Sequence, residues 1–109
     1  MIRLSLLALL LSATTALAYP VTVKSCDREV TFEAAPTRAV SHDVNLTEMM
    51  LVLGLGDRMV GYTGISGWKT LDEEMRAGVA ELPELSARYP TKEVLAGAEP
   101  DFFLSLIHI

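Results

Sequence analysis

The sequence predicts an α/β fold: an N-terminal β-hairpin followed by a βαβ lobe built on a parallel sheet. Three observations carry this. Residues 21–32 alternate apolar and polar positions with period two. From residue 38 to residue 104, short apolar segments suited to strands alternate with segments of helical periodicity. Gly and Pro fall at the junctions between them. Strands that alternate with helices imply parallel pairing through right-handed crossovers.

The first element is not part of that fold. Arg3, the apolar run Leu4 to Leu11 broken only by Ser5, and Ala16-Leu17-Ala18 have the order of an export signal: charged start, apolar core, small-residue cleavage site. Residues 1–18 are therefore expected to be a signal peptide, cleaved between Ala18 and Tyr19, with the rest exported. Cys26 stands too far beyond the apolar core for a lipid anchor. It is a single thiol, either buried and free or paired outside this sequence.

In the hairpin, Val21, Val23, Val30 and Phe32 face one way and Asp27-Arg28-Glu29 makes the turn. Ala34-Ala35-Pro36 ends it, since Pro cannot donate to a ladder. Arg38 to Val44 reads as a strand running into a helix. Asn45 is the expected N-cap, with Glu48 three residues on in a capping box. Leu46, Met49, Met50 and Leu53 then form one helical face, and Gly54 and Gly56 stop the helix. Arg58 to Tyr62 is a second strand and Thr63 to Gly67 a loop. A helix over 71–79 carries Asp72, Glu73 and Glu74 in its first turn, where acidic residues suit the helix dipole. Residues 82–90 read as irregular. Thr91 caps a short helix to Gly97, Pro100 ends it, and a last strand starts at Asp101. The expected order after the hairpin is β-α-β-α-α-β.

Composition excludes several functions. Beyond residue 18, eight basic against fourteen acidic residues leave a net charge of −6, which does not suit a nucleic-acid binder. No later apolar run reaches the roughly 18–20 residues of a membrane span. There is no G-x-S-x-G, H-E-x-x-H, C-x-x-C or P-loop, and no cofactor is expected.

Candidate ligand contacts follow from position. In open α/β sheets, ligands bind outside the carboxyl ends of the strands. His42 and Asp43 end the first parallel strand. Thr63, Ser66, Trp68 and Lys69 follow the second. His42 and Asp43, adjacent on a strand, point to opposite faces and do not readily share a metal. They serve equally well as loop and capping residues. Trp68 is suited either to stack on a flat ligand or to lie as a lid over the core.

The sequence ends Leu104-Ser105-Leu106-Ile107-His108-Ile109, without a polar tail. This hexamer reads as a translated transposon-derived sequencing adapter. Residues 104–109 are accordingly expected to be a non-native tail on an interrupted gene, and His108 is given no role.

Several stretches, taken in order, carry a resemblance. They are Ala35-Pro36-Thr37-Arg38-Ala39-Val40; Asn45-Leu46-Thr47-Glu48, leading to Leu53-Gly54-Leu55-Gly56-Asp57-Arg58-Met59-Val60-Gly61; and Glu93-Val94-Leu95-Ala96-Gly97-Ala98-Glu99-Pro100-Asp101. After an export signal, this set resembles the periplasmic substrate-binding proteins of ABC importers for iron–siderophores, haem and cobalamin, over residues 19–103. The resemblance implies two α/β lobes joined by a helical linker, with the ligand between them, and makes residues 19–103 the N-terminal lobe alone. It implies a soluble, monomeric periplasmic protein that binds a small metal chelate or organic ligand and partners an ABC permease. It also implies that Glu93, seven residues before Pro100-Asp101, docks on a basic residue of that permease, while Asp101 is structural. No Cys/His/Glu cluster suits a bare metal ion. The alternative function is an exported α/β enzyme whose catalytic residues lie in a missing C-terminal part.

Overall fold

The computed structural model of the chain describes residues 18–68 and 70–106. The signal segment 1–17 and the last three residues, His108 among them, lie outside the described residues, as does Lys69. The described part forms two units, divided after Ala34.

The first unit is the hairpin. Strands β1 (Val21–Ser25) and β2 (Arg28–Phe32) pair antiparallel, with Val21 opposite Phe32 and Val23 opposite Val30. The four apolar residues thus share one face, as their alternation predicts. The turn starts one residue earlier than expected and is one residue shorter. Cys26 and Asp27 make it, and Arg28 and Glu29 are already in the ladder. Cys26, the first central residue of this two-residue turn, occupies the left-handed region at φ 53°, the sign that the primed hairpin turns place at that position. Its thiol is free and exposed, not buried.

The second unit is a four-stranded parallel sheet with three helices. Its strands are β3 (Ala39–His42), β4 (Met59–Thr63), β5 (Glu84–Ser86) and β6 (Phe102–Leu104), in the order β5-β4-β3-β6. Helix α1 (Val44–Val52) connects β3 to β4, α2 (Glu73–Gly78) connects β4 to β5, and α3 (Lys92–Ala98) connects β5 to β6. The alternation is therefore regular, β-α-β-α-β-α-β. The expected irregular stretch 82–90 contains the edge strand β5. At three half-buried residues, that strand is too short to show a period.

Central β3 is buried along its whole length, as a strand covered on both faces must be. Ala39, Met50 and Met59 form the core, and Leu55, Tyr62, Leu82, Phe102 and Leu104 pack around it. Leu104, the first residue of the expected tail, closes β6 opposite Ser41.

Helix α1 starts earlier than expected. Its N-cap is Asp43, whose carboxylate accepts the Val44 N–H at 2.6 Å, and Asn45 is an exposed residue of the first turn. The buried stripe is also rotated. Leu46, Thr47 and Met50 face inward, whereas Met49 and Leu53 are exposed. The Thr47 hydroxyl explains the rotation. It donates to the Asp43 carbonyl at 2.8 Å and pairs with the buried Ser41 hydroxyl at 2.7 Å, which draws its own face of the helix onto the sheet. The helix stops as Gly54 requires. Gly54 takes φ 72°, its N–H bonds the Leu51 carbonyl and the Leu55 N–H bonds that of Met50, a Schellman closure. Asp72 caps α2 through the Met75 N–H, and Thr91 caps α3 through the Val94 N–H.

Pro36-Thr37-Arg38 and Pro100-Asp101, far apart in sequence, meet because β3 and β6 are neighbours. The Asp101 carboxylate accepts the N–H groups of Thr37 and Arg38, both at 2.9 Å. The Arg38 guanidinium reaches the other way and donates to the carbonyls of Ala98 (2.7 Å) and Glu99 (2.9 Å), capping the end of α3.

Candidate functional site

The parallel sheet brings the carboxyl ends of β3, β4 and β5 to one edge. His42, Thr63 and the segment following Ser86 meet there. His42 is 5% exposed and Thr63 is fully buried. His42 Nδ1 lies 2.9 Å from Thr63 Oγ1, and Thr63 Oγ1 donates in turn to the Ser41 carbonyl at 3.4 Å. Burial holds the His42 pKa below its usual value, opposed by the neighbouring Asp43 carboxylate.

Gly64 makes this burial possible. It has φ 75°, and a Cβ there would fall 2.3 Å from His42 Cε1. Only a residue without a side chain, and free of the left-handed penalty, lets the loop cross the imidazole so closely.

Asp43 leaves the strand at φ 71°, ψ 161°, a region that side chains rarely occupy. Its N–H bonds the Thr63 carbonyl at 2.9 Å, which ties the end of β3 to the end of β4. The residue turns the chain sharply from strand to helix and caps that helix. The two expected roles, capping and lining a cleft, coincide in it. A cleft of about 90 Å³ lies beside it, lined by His42, Asp43, Asn45, Leu46, Tyr89 and Leu106.

The loop after β4 is fastened to β5 and its extension. Gly64 N–H bonds the Ser86 carbonyl at 2.8 Å, and Gly67 N–H bonds the Ala87 carbonyl at 2.9 Å. Ser66 donates through both its N–H and its hydroxyl to the Glu84 carboxylate. Burial and the Glu84 charge together raise the pKa of Tyr62. Ser66 is thus exposed and held by a carboxylate, at the foot of the loop that carries Trp68.

Trp68 does not lie over the core. It is 49% exposed and its ring is edge-on to Tyr89, with centroids 5.7 Å apart. The Arg88 guanidinium sits 4.2 Å above it, a cation–π contact. Tyr89 stacks on His42 at 5.2 Å and 25°. The rings of His42, Tyr89 and Trp68 therefore run in sequence from the buried strand end to the surface, and Arg88 closes the outer end.

Of the expected ligand contacts, the structure brings His42, Asp43 and Thr63 together, and links Trp68 to them through Tyr89. Ser66 stands apart, on Glu84. Lys69 lies outside the described residues. Arg88, Tyr89 and Glu84 escaped the sequence reading. The three-residue β5 leaves no period in the sequence, so nothing there marks the Arg-Tyr pair that follows it as lying at the strand-end edge. Glu93 is exposed in the first turn of α3. Hydrogen bonds from its own backbone and from Thr91 hold its pKa down, so it is ionised at neutral pH. Among the described residues no three His, Cys, Asp or Glu side chains converge to hold a metal ion. No helix among them is long and apolar enough to cross a membrane.

No family model matches the chain, and no curated protein matches it. Solved structures do. A periplasmic binding protein from Veillonella parvula is 32% identical, with a TM-score of 0.60, over 76% of this chain and 28% of its own. The ABC-type Fe3+-hydroxamate transport system from Saccharomonospora viridis is 26% identical, with a TM-score of 0.61, over 81% of this chain and 33% of its own. The resemblance to periplasmic binding proteins carried by the sequence motifs is thus a resemblance of three-dimensional structure as well. The chain spans about a third or less of the length of these two proteins.

Proposed function

We propose that residues 19–103 are the N-terminal lobe of a periplasmic solute-binding protein, exported by the segment 1–18, which captures an iron chelate or related metal-organic ligand for an ABC permease. The strand-end site carries this reading. It sets a buried histidine at the strand ends, with an aromatic series leading from it to the surface, in a lobe similar to that of a periplasmic binding protein and of an Fe3+-hydroxamate transport protein. Such a site binds and releases. His42, Asp43, Thr63, Ser66, Trp68 and Lys69 are the proposed ligand-side residues from the sequence, and Tyr89 and Arg88 join them on geometry. Glu93 is an exposed, ionised carboxylate, suited to orient the lobe on a basic permease surface and to speed encounter.

The test uses the intact gene. Trp68, the only tryptophan in this sequence, should report titration with a ferric trihydroxamate, haem and cobalamin. Glu93→Ala should leave affinity unchanged and reduce uptake several-fold. Failure of all three ligands to bind overturns the ligand class. Reduced affinity with undiminished uptake at saturating ligand overturns the docking role.

A further inference from the structure

Glu84 opens β5 beside Tyr62 of β4, and the loop after β4 reaches back to it. That loop is a turn closed by the Trp68 N–H on the Ile65 carbonyl at 3.0 Å, with Ser66 as its second residue. Ile65, at 1% exposure, anchors the start of the turn. Two backbone bonds fasten the loop to β5 and the segment after it, from Gly64 N–H to the Ser86 carbonyl and from Gly67 N–H to the Ala87 carbonyl. The remaining fastening is made by a side chain. Ser66 gives its N–H to Glu84 Oε2 at 3.0 Å and its hydroxyl to Oε1. One residue thus engages both oxygens of the carboxylate, in bonds to a charged acceptor that are about twice as strong as neutral ones. Arg76 borders the same crevice as Ser66 and Glu84, but its guanidinium donates instead to the Leu71 carbonyl at 3.1 Å.

We infer that Glu84 is a positioning residue for the ligand site: through Ser66 it fixes the turn from Ile65 to Trp68, and so sets where the Trp68 ring is presented. This rests on the proposal that Trp68 is a ligand-side residue. The ring's own partners, Tyr89 and Arg88, are exposed side chains, so its position depends on the backbone that carries it. Gly64 and Gly67 hold that backbone through main-chain groups that any sequence supplies. The Ser66 link exists only where residue 84 offers an acceptor to the N–H and a partner to the hydroxyl. Pre-setting an aromatic contact in this way lowers the ordering cost of binding.

The test reads Trp68, the one tryptophan of the chain. Glu84→Ala should shift acrylamide quenching of Trp68 toward that of a free indole and lower its anisotropy. Glu84→Gln should stay close to the parent, because an amide can accept from the Ser66 N–H and donate to its hydroxyl. Ser66→Ala should loosen Trp68 by itself and add nothing beside Glu84→Ala, and it reads the same link if Glu84→Ala fails to fold. Gly54→Ala, a backbone-strained variant at the C-terminal end of α1, should leave Trp68 as in the parent, which separates positioning from loss of stability. In the product of the intact gene, Glu84→Ala should weaken binding of a ferric trihydroxamate several-fold and Glu84→Gln should not. A parent-like Trp68 in Glu84→Ala, equal loosening in Glu84→Gln or Gly54→Ala, a further effect of Ser66→Ala beside Glu84→Ala, or undiminished affinity would each overturn the inference. None of these would touch the solute-binding reading, which is judged by uptake and by ligand titration of the parent protein.

Discussion

The Asp101 carboxylate takes one backbone N–H on each oxygen, Thr37 on Oδ2 and Arg38 on Oδ1, across 64 and 63 residues of sequence. The Thr37 hydroxyl adds a longer bond of 3.4 Å to Oδ2. These bonds favour the ionised form, the Thr37 amide foremost, and hold the carboxyl below its usual pKa. A carboxylate whose pKa is lower in the folded chain contributes stability above its unfolded pKa and loses it as pH falls through the folded one. Asp101→Asn should therefore lower the urea midpoint at neutral pH and flatten the decline in stability below about pH 4, the ordinary carboxylate range. Urea denaturation from pH 7 to pH 2 checks both.

His42 gives a second, separate acid response. Its folded pKa is depressed chiefly by burial, so between the ordinary value near 6.5 and the folded one the unfolded chain binds the proton first. Stability should thus begin to fall as pH drops below about 6.5, before the Asp101 step. His42→Gln should remove this upper step and leave the lower one, as followed by denaturation midpoints.

Thr63→Val keeps the shape of the side chain and removes its hydroxyl. The buried His42 Nδ1 would lose its partner, at a cost of about 1–3 kcal/mol. Equilibrium urea denaturation of the variant and parent should show a loss in that range.

The two positive-φ glycines of the lobe should respond differently to Ala. A Cβ on Gly54 meets nothing within 4 Å, so Gly54→Ala should cost only the left-handed backbone term, about 1–2 kcal/mol. Gly64→Ala carries the same term and also drives a methyl into the His42 ring. It should be the more destabilising of the two, and alone should alter Trp68 emission, because His42 and Trp68 are joined through Tyr89. Chemical denaturation with tryptophan fluorescence reads both effects.

The fold was legible where a residue type has one physical use. Pro36 ends the hairpin segment, Gly54 stops α1, Thr91 caps α3, and the hairpin alternation places its valines on one face. Legibility failed where tertiary contacts chose among equals. Asp43 and Asn45 are both good caps. The one used is the residue that also bonds the end of β4, at a backbone angle that no sequence rule for aspartate anticipates. The inward stripe of α1 was misjudged because apolar periodicity ignores Thr47, whose hydroxyl anchors the helix to Ser41. At the site, strand-end logic located His42, Asp43 and Thr63. It could not find Tyr89 and Arg88, since three half-buried residues of β5 leave no period to read, and without β5 the segment beyond it has no edge to belong to.

The clamp between the Pro-Thr-Arg and Pro-Asp segments also sets an order of events in time. Buried β3 has β6 as one of its two neighbours, and the bonds of Arg38 and Asp101 span 60 to 64 residues. Local pieces such as the α1 turn can form as soon as they are made, but closing so long a loop must precede the contacts that reward it. As the lobe folds, the flank of β3 meant for β6 therefore waits, uncovered, until Asp101 and the strand after it have docked. Over that interval the folding lobe offers an unpaired strand edge to any other chain.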